Sequence, residues 1–148
     1  MCTNKMRTAR NTVIIGVFLL HALGAAGWAG ELVAWGFDSY ISNTPVGNDF
    51  EAVAVGGTHS VALRTDGSLI TWGSDSAGQV CNTPAGNDFA AVAAGGTHSV
   101  ALKIDGRLLA WGYDGNGQVS GTPAGNNFEA VAAGYIHNVA LKADGSLV

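Results

Sequence analysis

Apolar and polar positions fall into short strand-length runs from residue 50 onward. Phe50-Glu51-Ala52-Val53-Ala54-Val55-Gly56 reads as a first strand. Thr58-His59-Ser60-Val61-Ala62-Leu63 reads as a second, with successive side chains pointing to opposite faces. Asp66-Gly67 between this run and the next is a hairpin signal, since glycine takes positive φ at no steric cost. Ser68 to Trp72 is the third strand. The loop that follows carries Ala77-Gly78-Gln79-Val80, where a short fourth strand is expected at Gln79-Val80. Asn82-Thr83-Pro84-Ala85-Gly86-Asn87 then crosses to the next unit; proline cannot donate to a ladder and belongs outside central strands.

The whole pattern recurs. Gly67-Ser68-Leu69-Ile70-Thr71-Trp72-Gly73 returns as Gly106-Arg107-Leu108-Leu109-Ala110-Trp111-Gly112. An earlier copy is Gly30-Glu31-Leu32-Val33-Ala34-Trp35-Gly36, and Gly145-Ser146-Leu147-Val148 begins a fourth. The opening glycines are 37, 39 and 39 residues apart, while His59, His98 and His137, like Pro45, Pro84 and Pro123, keep a step of 39. The first step is short because the loop between Trp35 and Pro45 lacks two residues. A fixed period of this length marks a repeat architecture. Short strands repeated in this way build either a β-propeller or a stacked solenoid; the hairpin inside each unit favours the antiparallel blades of a propeller.

Ala94-Gly95-Gly96-Thr97-His98-Ser99-Val100-Ala101-Leu102-Lys103, followed by Asp105-Gly106, Ala110-Trp111-Gly112 and Gly117-Gln118, resembles the regulator of chromosome condensation repeat. The resemblance runs in phase through residues 30–148, and the short period is most similar to the bacterial secreted branch, which includes the exported β-lactamase-inhibitor propeller. It implies a ring of seven blades, non-catalytic in that branch. The chain departs from the pattern in number, with three periods and four residues of the next. At least four blades are needed to close a ring, so the expectation is a partial β-propeller of about three blades, each of three to four short antiparallel strands. Either it is a truncated copy of a longer chain or several chains complete one ring. An open blade edge presents unpaired backbone groups and is expected to favour self-association.

Residues 1–29 differ in kind. A polar, positive stretch carrying Lys5, Arg7 and Arg10 precedes the apolar run from Val13 to Gly27, and Gly27-Trp28-Ala29 places small residues before a cleavage point. This is the layout of a secretory signal peptide, helical in its apolar run, with the repeat domain beginning at residue 30. The run is short for a membrane span of about 20 residues, a retained anchor being the alternative. The expected location is secreted, periplasmic or at the cell surface, with no membrane association after cleavage.

Composition narrows the chemistry. Of 148 residues only 12 % are charged and 22 are glycine, which fits neither a solvated helical chain nor a disordered one. Beyond the leader, four basic residues stand against eleven acidic ones, a net charge of −7. An acidic body without a basic cluster argues against nucleic acid as a partner. Cys81 is the single cysteine outside the leader, so no intrachain disulfide or cysteine metal site is expected there; it is expected to be half-buried.

The three histidines do not read as a metal site. Repeat-equivalent residues lie on different blades, while ligands must sit about 2.0–2.6 Å from one ion. Each is expected to be a buried core histidine bonded to neighbouring backbone. Trp35, Trp72 and Trp111 are expected to pack against the following blade. Asp114-Gly115-Asn116-Gly117 lacks the ligand series and closing glutamate of a calcium loop and reads as a turn. No phosphate loop or Gly-x-Ser-x-Gly elbow is present. Ser60 and Ser99 neighbour histidines along a strand and so point away from them. No catalytic residue, cofactor or metal is expected.

Positions that repeat serve the fold, and those that vary are free for recognition. The loop after the tryptophan varies most, which singles out Phe37, Asp38, Tyr40, Asp75, Tyr113 and Asp114, together with Tyr135 where the other units carry glycine. Aromatic and acidic loop tips suit a protein-binding surface; drift in a decaying repeat is the alternative. The function expected is non-covalent binding of another protein, with a ligand-free structural role at the cell surface or guanine-nucleotide exchange as the other readings.

Overall fold

The computed structural model describes residues 30–148; the signal peptide expected at residues 1–29 lies outside the described residues. Eight strands and one short helix follow in order: α1 (Asp38–Ile41), β1 (Phe50–Val55), β2 (His59–Arg64), β3 (Leu69–Gly73), β4 (Phe89–Ala94), β5 (His98–Lys103), β6 (Leu108–Gly112), β7 (Phe128–Ala133) and β8 (Asn138–Lys142). They form three antiparallel meanders, β1-β2-β3, β4-β5-β6 and β7-β8. In the last, Leu147 begins a third strand by bridging Leu141. The architecture is an all-β array of three propeller-like blades.

The Asp-Gly turns close the second hairpin of each blade as the sequence predicts. Gly67 adopts φ +81° and Gly106 φ +82°, and the Asp66 carboxylate accepts the Ser68 backbone N–H at 2.9 Å. The crossings around Pro84 and Pro123 are irregular, as expected. Two local expectations fail. Gln79-Val80 forms a turn rather than a fourth strand, because the buried Gln79 side chain folds back to accept the Ala77 N–H at 2.8 Å. Residues 31–37 form no strand either. A third strand exists only by pairing with the second strand of its own blade, and none precedes it among the described residues.

A bulge sits at the same point of every blade: the register of β1 against β2 slips between Phe50 and Ala52, and β4 and β7 repeat it. The residues skipped, Glu51, Ala90 and Glu129, are exposed. The slip lets Phe50, Phe89 and Phe128 turn inward, where all three are buried. Strict alternation read from the sequence does not contain this step.

The core lies between blades. Val61 and Leu63 of blade 1 pack with Phe89, Val92, Ala101 and Trp111 of blade 2. Val100, Leu102 and Leu108 of blade 2 pack with Phe128, Val131 and Ala140 of blade 3. Trp111 is therefore buried against the preceding blade, not the following one, and its indole N–H donates to the Gln79 carbonyl at 3.0 Å. Trp72 is buried likewise, with Leu32 packed beside its cluster. Trp35 is 78 % exposed.

Paired glycines bring the blades together. Gly57 N–H donates to the Gly95 carbonyl at 2.9 Å, and Gly96 N–H to the Tyr135 carbonyl at 3.0 Å. A Cβ on Gly95 would lie 2.5 Å from the Gly134 carbonyl oxygen and would meet the His98 ring. Gly95→Ala is expected to cost about 1–3 kcal/mol, as overpacking of a close-packed interior does. Gly30→Ala, where nothing lies within 4 Å, is expected to be close to neutral in the same thermal melts.

Candidate functional site

Two sets of polar residues compete for attention, one between the blades and one on their rim. His59 Nε2 lies 2.6 Å from Ser99 Oγ, and His98 Nε2 lies 2.9 Å from Asn138 Oδ1. Each histidine thus reaches the residue beside the next blade's histidine, 40 positions on. The expected backbone partner is replaced by a side chain of the following blade. Asn138 also donates through Nδ2 to the Gln118 carbonyl at 2.8 Å. Its Oδ1 is therefore left to accept from His98 Nε2.

Sequence reasoning separated Ser99 from histidine by strand alternation. That holds along the strand but not across the interface, where the structure unites Ser99 with His59. Ser99 and His59 are both buried, and His59 Nδ1 has no hydrogen-bond partner among the described residues. A nucleophilic pair needs an accessible oxygen and a group that orients the imidazole. This pair has neither, so it pins two blades together. Burial, and secondarily the proximity of His98, lowers the His59 pKa to about 4, leaving the ring neutral. His137 is exposed, with no following blade among the described residues. No group of three or more metal-ligating side chains comes together among the described residues.

The rim is formed by chain direction. In a meander, the loop between the first two strands and the loop after the third emerge at the same end of the blade. Ser74 N–H bonds the Thr58 carbonyl at 2.9 Å and Tyr113 N–H the Thr97 carbonyl at 2.9 Å, tying the two loops together. Asp75, Tyr113, Asp114 and Tyr135 sit on these loops, and Phe37, with Asp38 and Tyr40 of α1, lies beside the β1–β2 loop at the same end, opposite the Asp-Gly turns. Phe37 is 68 % and Tyr135 75 % exposed. Phe37 and Tyr40 meet edge to face with centroids 5.2 Å apart, beside α1, and line a shallow cleft with Trp35 and Val55.

The acidic members behave differently from the aromatic ones. Asp75 Oδ1 accepts the N–H groups of Val80 and Cys81 at 2.8 and 2.9 Å. Asp114 Oδ1 accepts those of Val119 and Ser120 at the same distances. Bonds from Cys81 and then Val80 hold the Asp75 carboxyl below the usual carboxylate range, and bonds from Ser120 and then Val119 do so for Asp114. Both carboxylates organise their own loops. Asp114 does so as the turn residue that the sequence suggests, with no calcium-type ligand set. The two recur 39 residues apart, a signal that could have marked them as structural.

Cys81 is exposed, not half-buried. It occupies the place of Ser120 on the outer side of the same loop. Its hydrogen bond to Asp75 raises the thiol pKa, which keeps it protonated and a weak nucleophile.

Residues 50–79 and 89–118 match the family model described as the Regulator of chromosome condensation (RCC1) repeat. No curated protein matches the chain. Among solved structures, the chain is similar to Prp20p from Saccharomyces cerevisiae, with 22 % identity and a TM-score of 0.58 over 70 % of this chain and 31 % of that one. It is similar also to the ectodomain of the receptor kinase CR4 from Physcomitrella patens, with 21 % identity and a TM-score of 0.56 over 67 % of this chain and 29 % of that one. Human WBSCR16 gives 22 % identity and a TM-score of 0.53, over 66 % and 33 % of the two chains. The chain spans about a third of the length of these structures, and the likenesses concern the fold. Blades 1 and 2 are RCC1-like repeats, and the chain is a β-propeller-like array built on them.

Proposed function

We propose that this chain is an exported, non-catalytic binding module of the secreted short-repeat kind, with residues 1–29 as its leader. It engages another protein through the aromatic rim. The observation that carries this reading is the shared placement of Phe37, Tyr40, Tyr113 and Tyr135 at one end of the blades, with Phe37, Tyr113 and Tyr135 solvent-exposed. Large aromatic side chains supply contact area at low entropic cost when the scaffold beneath them is rigid. The loop that carries Tyr113 is held in this way, because Asp114 bonds the backbone N–H groups of Val119 and Ser120. The 39-residue period supports the comparison with the exported β-lactamase-inhibitor propeller.

One of the similar structures is of a protein that binds others: Prp20p has binding properties toward Gsp1p and histones, and Kap60 is bound to it. The net charge of −7 beyond the leader adds electrostatic preference for a partner with a basic face. The test is affinity enrichment from the extracellular fraction with three baits: the parent chain, a Phe37→Ser/Tyr40→Ser/Tyr113→Ser variant, and Ile104→Ser at the opposite end. A partner retained by the first and third baits and lost from the second is expected. A partner held equally by all three, or none held above background, would overturn the rim assignment.

A further inference from the structure

The rim above blade 2 differs from the rim above blade 1 at three matched positions. Ser74, Ser76 and Gly96 have Tyr113, Gly115 and Tyr135 as their counterparts 39 residues on. The three changes fit one another. A Cβ on Gly115 would overlap the Tyr113 phenol, and a Cβ on Gly96 would lie 2.9 Å from Cδ2 and Cε2 of Tyr135. Each tyrosine thus rests on a glycine. Gly115 has no positive φ, so the ring, not the backbone, calls for glycine there. Independent drift of the two positions would not match a tyrosine with the glycine that makes room for it.

Both rings belong to one sector. Tyr113 N–H bonds the Thr97 carbonyl at 2.9 Å, and Gly96 N–H bonds the Tyr135 carbonyl at 3.0 Å, so the two tyrosines flank the Gly96-Thr97 turn. Tyr113 is 46 % exposed. Asp114 follows it, and its bonds from the Val119 and Ser120 N–H groups and the Ser120 hydroxyl all go to Oδ1. Oδ2 is left for a donor from outside.

Charge is divided between the two ends of the blades. Arg64, Lys103 and Lys142 close β2, β5 and β8, and Arg107 stands beside an Asp-Gly turn. These four are the basic residues beyond the leader, and all lie at the end opposite the rim. Three of them pair there with Asp49, Asp88 and Asp105 at 2.7, 2.8 and 2.8 Å. The rim carries Asp38, Asp75 and Asp114 with no lysine or arginine among the described residues.

We infer that Tyr113 and Tyr135, with Asp114 beside them, seat a basic side chain, arginine or lysine, of the protein partner. The inference rests on the binding reading above and names the chemistry that the rim selects. Aromatic faces attract cations, the carboxylate adds a charge-assisted hydrogen bond, and no cation of the rim repels the newcomer. Rings already resting on glycines lose little freedom on docking.

Selection of phage-displayed random peptides on the immobilised full chain tests it. Peptides rich in arginine and lysine are expected, and they are expected to be lost from a Tyr113→Ser/Tyr135→Gly bait, which carries the residues of the preceding repeat. With a selected peptide made synthetically, Tyr113→Ser alone is expected to weaken binding about two- to thirtyfold, the span of one cation–π contact. Gly115→Ala, which displaces the ring without removing it, is expected to weaken binding in the same direction. Asp114→Asn keeps an Oδ1 acceptor for the loop and is expected to weaken binding and flatten its salt dependence. Replacing the basic residues of the peptide by glutamine is expected to abolish binding, and circular dichroism of the variants to match the parent. Basic peptides held equally by the double variant, or no peptide held at all, would overturn the inference. Peptides without basic residues that are lost from the double variant would overturn it too, while leaving the rim as a protein-binding surface.

Discussion

Trp111→Ala is expected to destabilise the array by about 3–5 kcal/mol, the range for removing a buried large aromatic side chain. The indole is 4 % exposed and fills the space between blades 1 and 2. Full burial of an aromatic side chain withdraws about 150–250 Å² from water, or roughly 4–6 kcal/mol as an upper bound at about 25 cal/mol per Å². Its loss also removes the N–H donor to the Gln79 carbonyl. Whole domains are stable by only about 5–15 kcal/mol, so this substitution removes a large share. Repeat arrays distribute stability over neighbour interfaces, which predicts the form of the result as well as its size. Urea unfolding is expected to split, with blade 1 melting ahead of blades 2 and 3. Trp35→Ala, at the equivalent repeat position, is expected to leave the midpoint unchanged where the chain is monomeric. A single undisplaced transition for Trp111→Ala would contradict the placement of the core between blades.

Repeat phase made the blades legible. Strand existence, the Asp-Gly hairpins and the crossings at proline follow from local pattern, because turn chemistry and alternation act over a few residues. What lies between blades was not legible in the same way. Phase shows that His59 and His98 are equivalent; it does not show that His59 touches Ser99, which requires the displacement of one blade relative to the next. The direction of tryptophan burial was hidden for the same reason. The bulges at Glu51, Ala90 and Glu129 were hidden because a slip of one residue breaks the alternation used to find the strand.

The rim was half legible. Phe37, Tyr113 and Tyr135 vary between units and are exposed, whereas Asp75 and Asp114 recur in phase beneath varying neighbours and bond their own loops. Variation must therefore be judged position by position. A loop in which most residues change still keeps the one that holds its backbone.

Acid is expected to loosen the blades through His59. Its folded-state pKa of about 4 lies below the ordinary value of 6.5, because the buried ring is costly to charge and His98 lies near. In the unfolded chain the same imidazole takes up a proton as pH falls through 6.5, while in the folded chain it resists until about 4. The unfolded state thus binds more protons across that window, so stability is full above pH 6.5 and falls as pH drops toward 4. The displacement corresponds to about 3 kcal/mol at the acid end, at 1.36 kcal/mol per pKa unit. Carboxylates such as Asp75 and Asp114, held below their usual range, lose their contribution only at lower pH, beneath the histidine window. His59→Gln retains a hydrogen-bonding group for Ser99 and removes the titration. Urea midpoints measured from pH 7 to pH 4 are expected to decline for the parent chain and to stay nearly level for the variant. Equal declines would mean that another group carries the acid sensitivity, and that His59–Ser99 is not the proton-sensitive pin between blades 1 and 2.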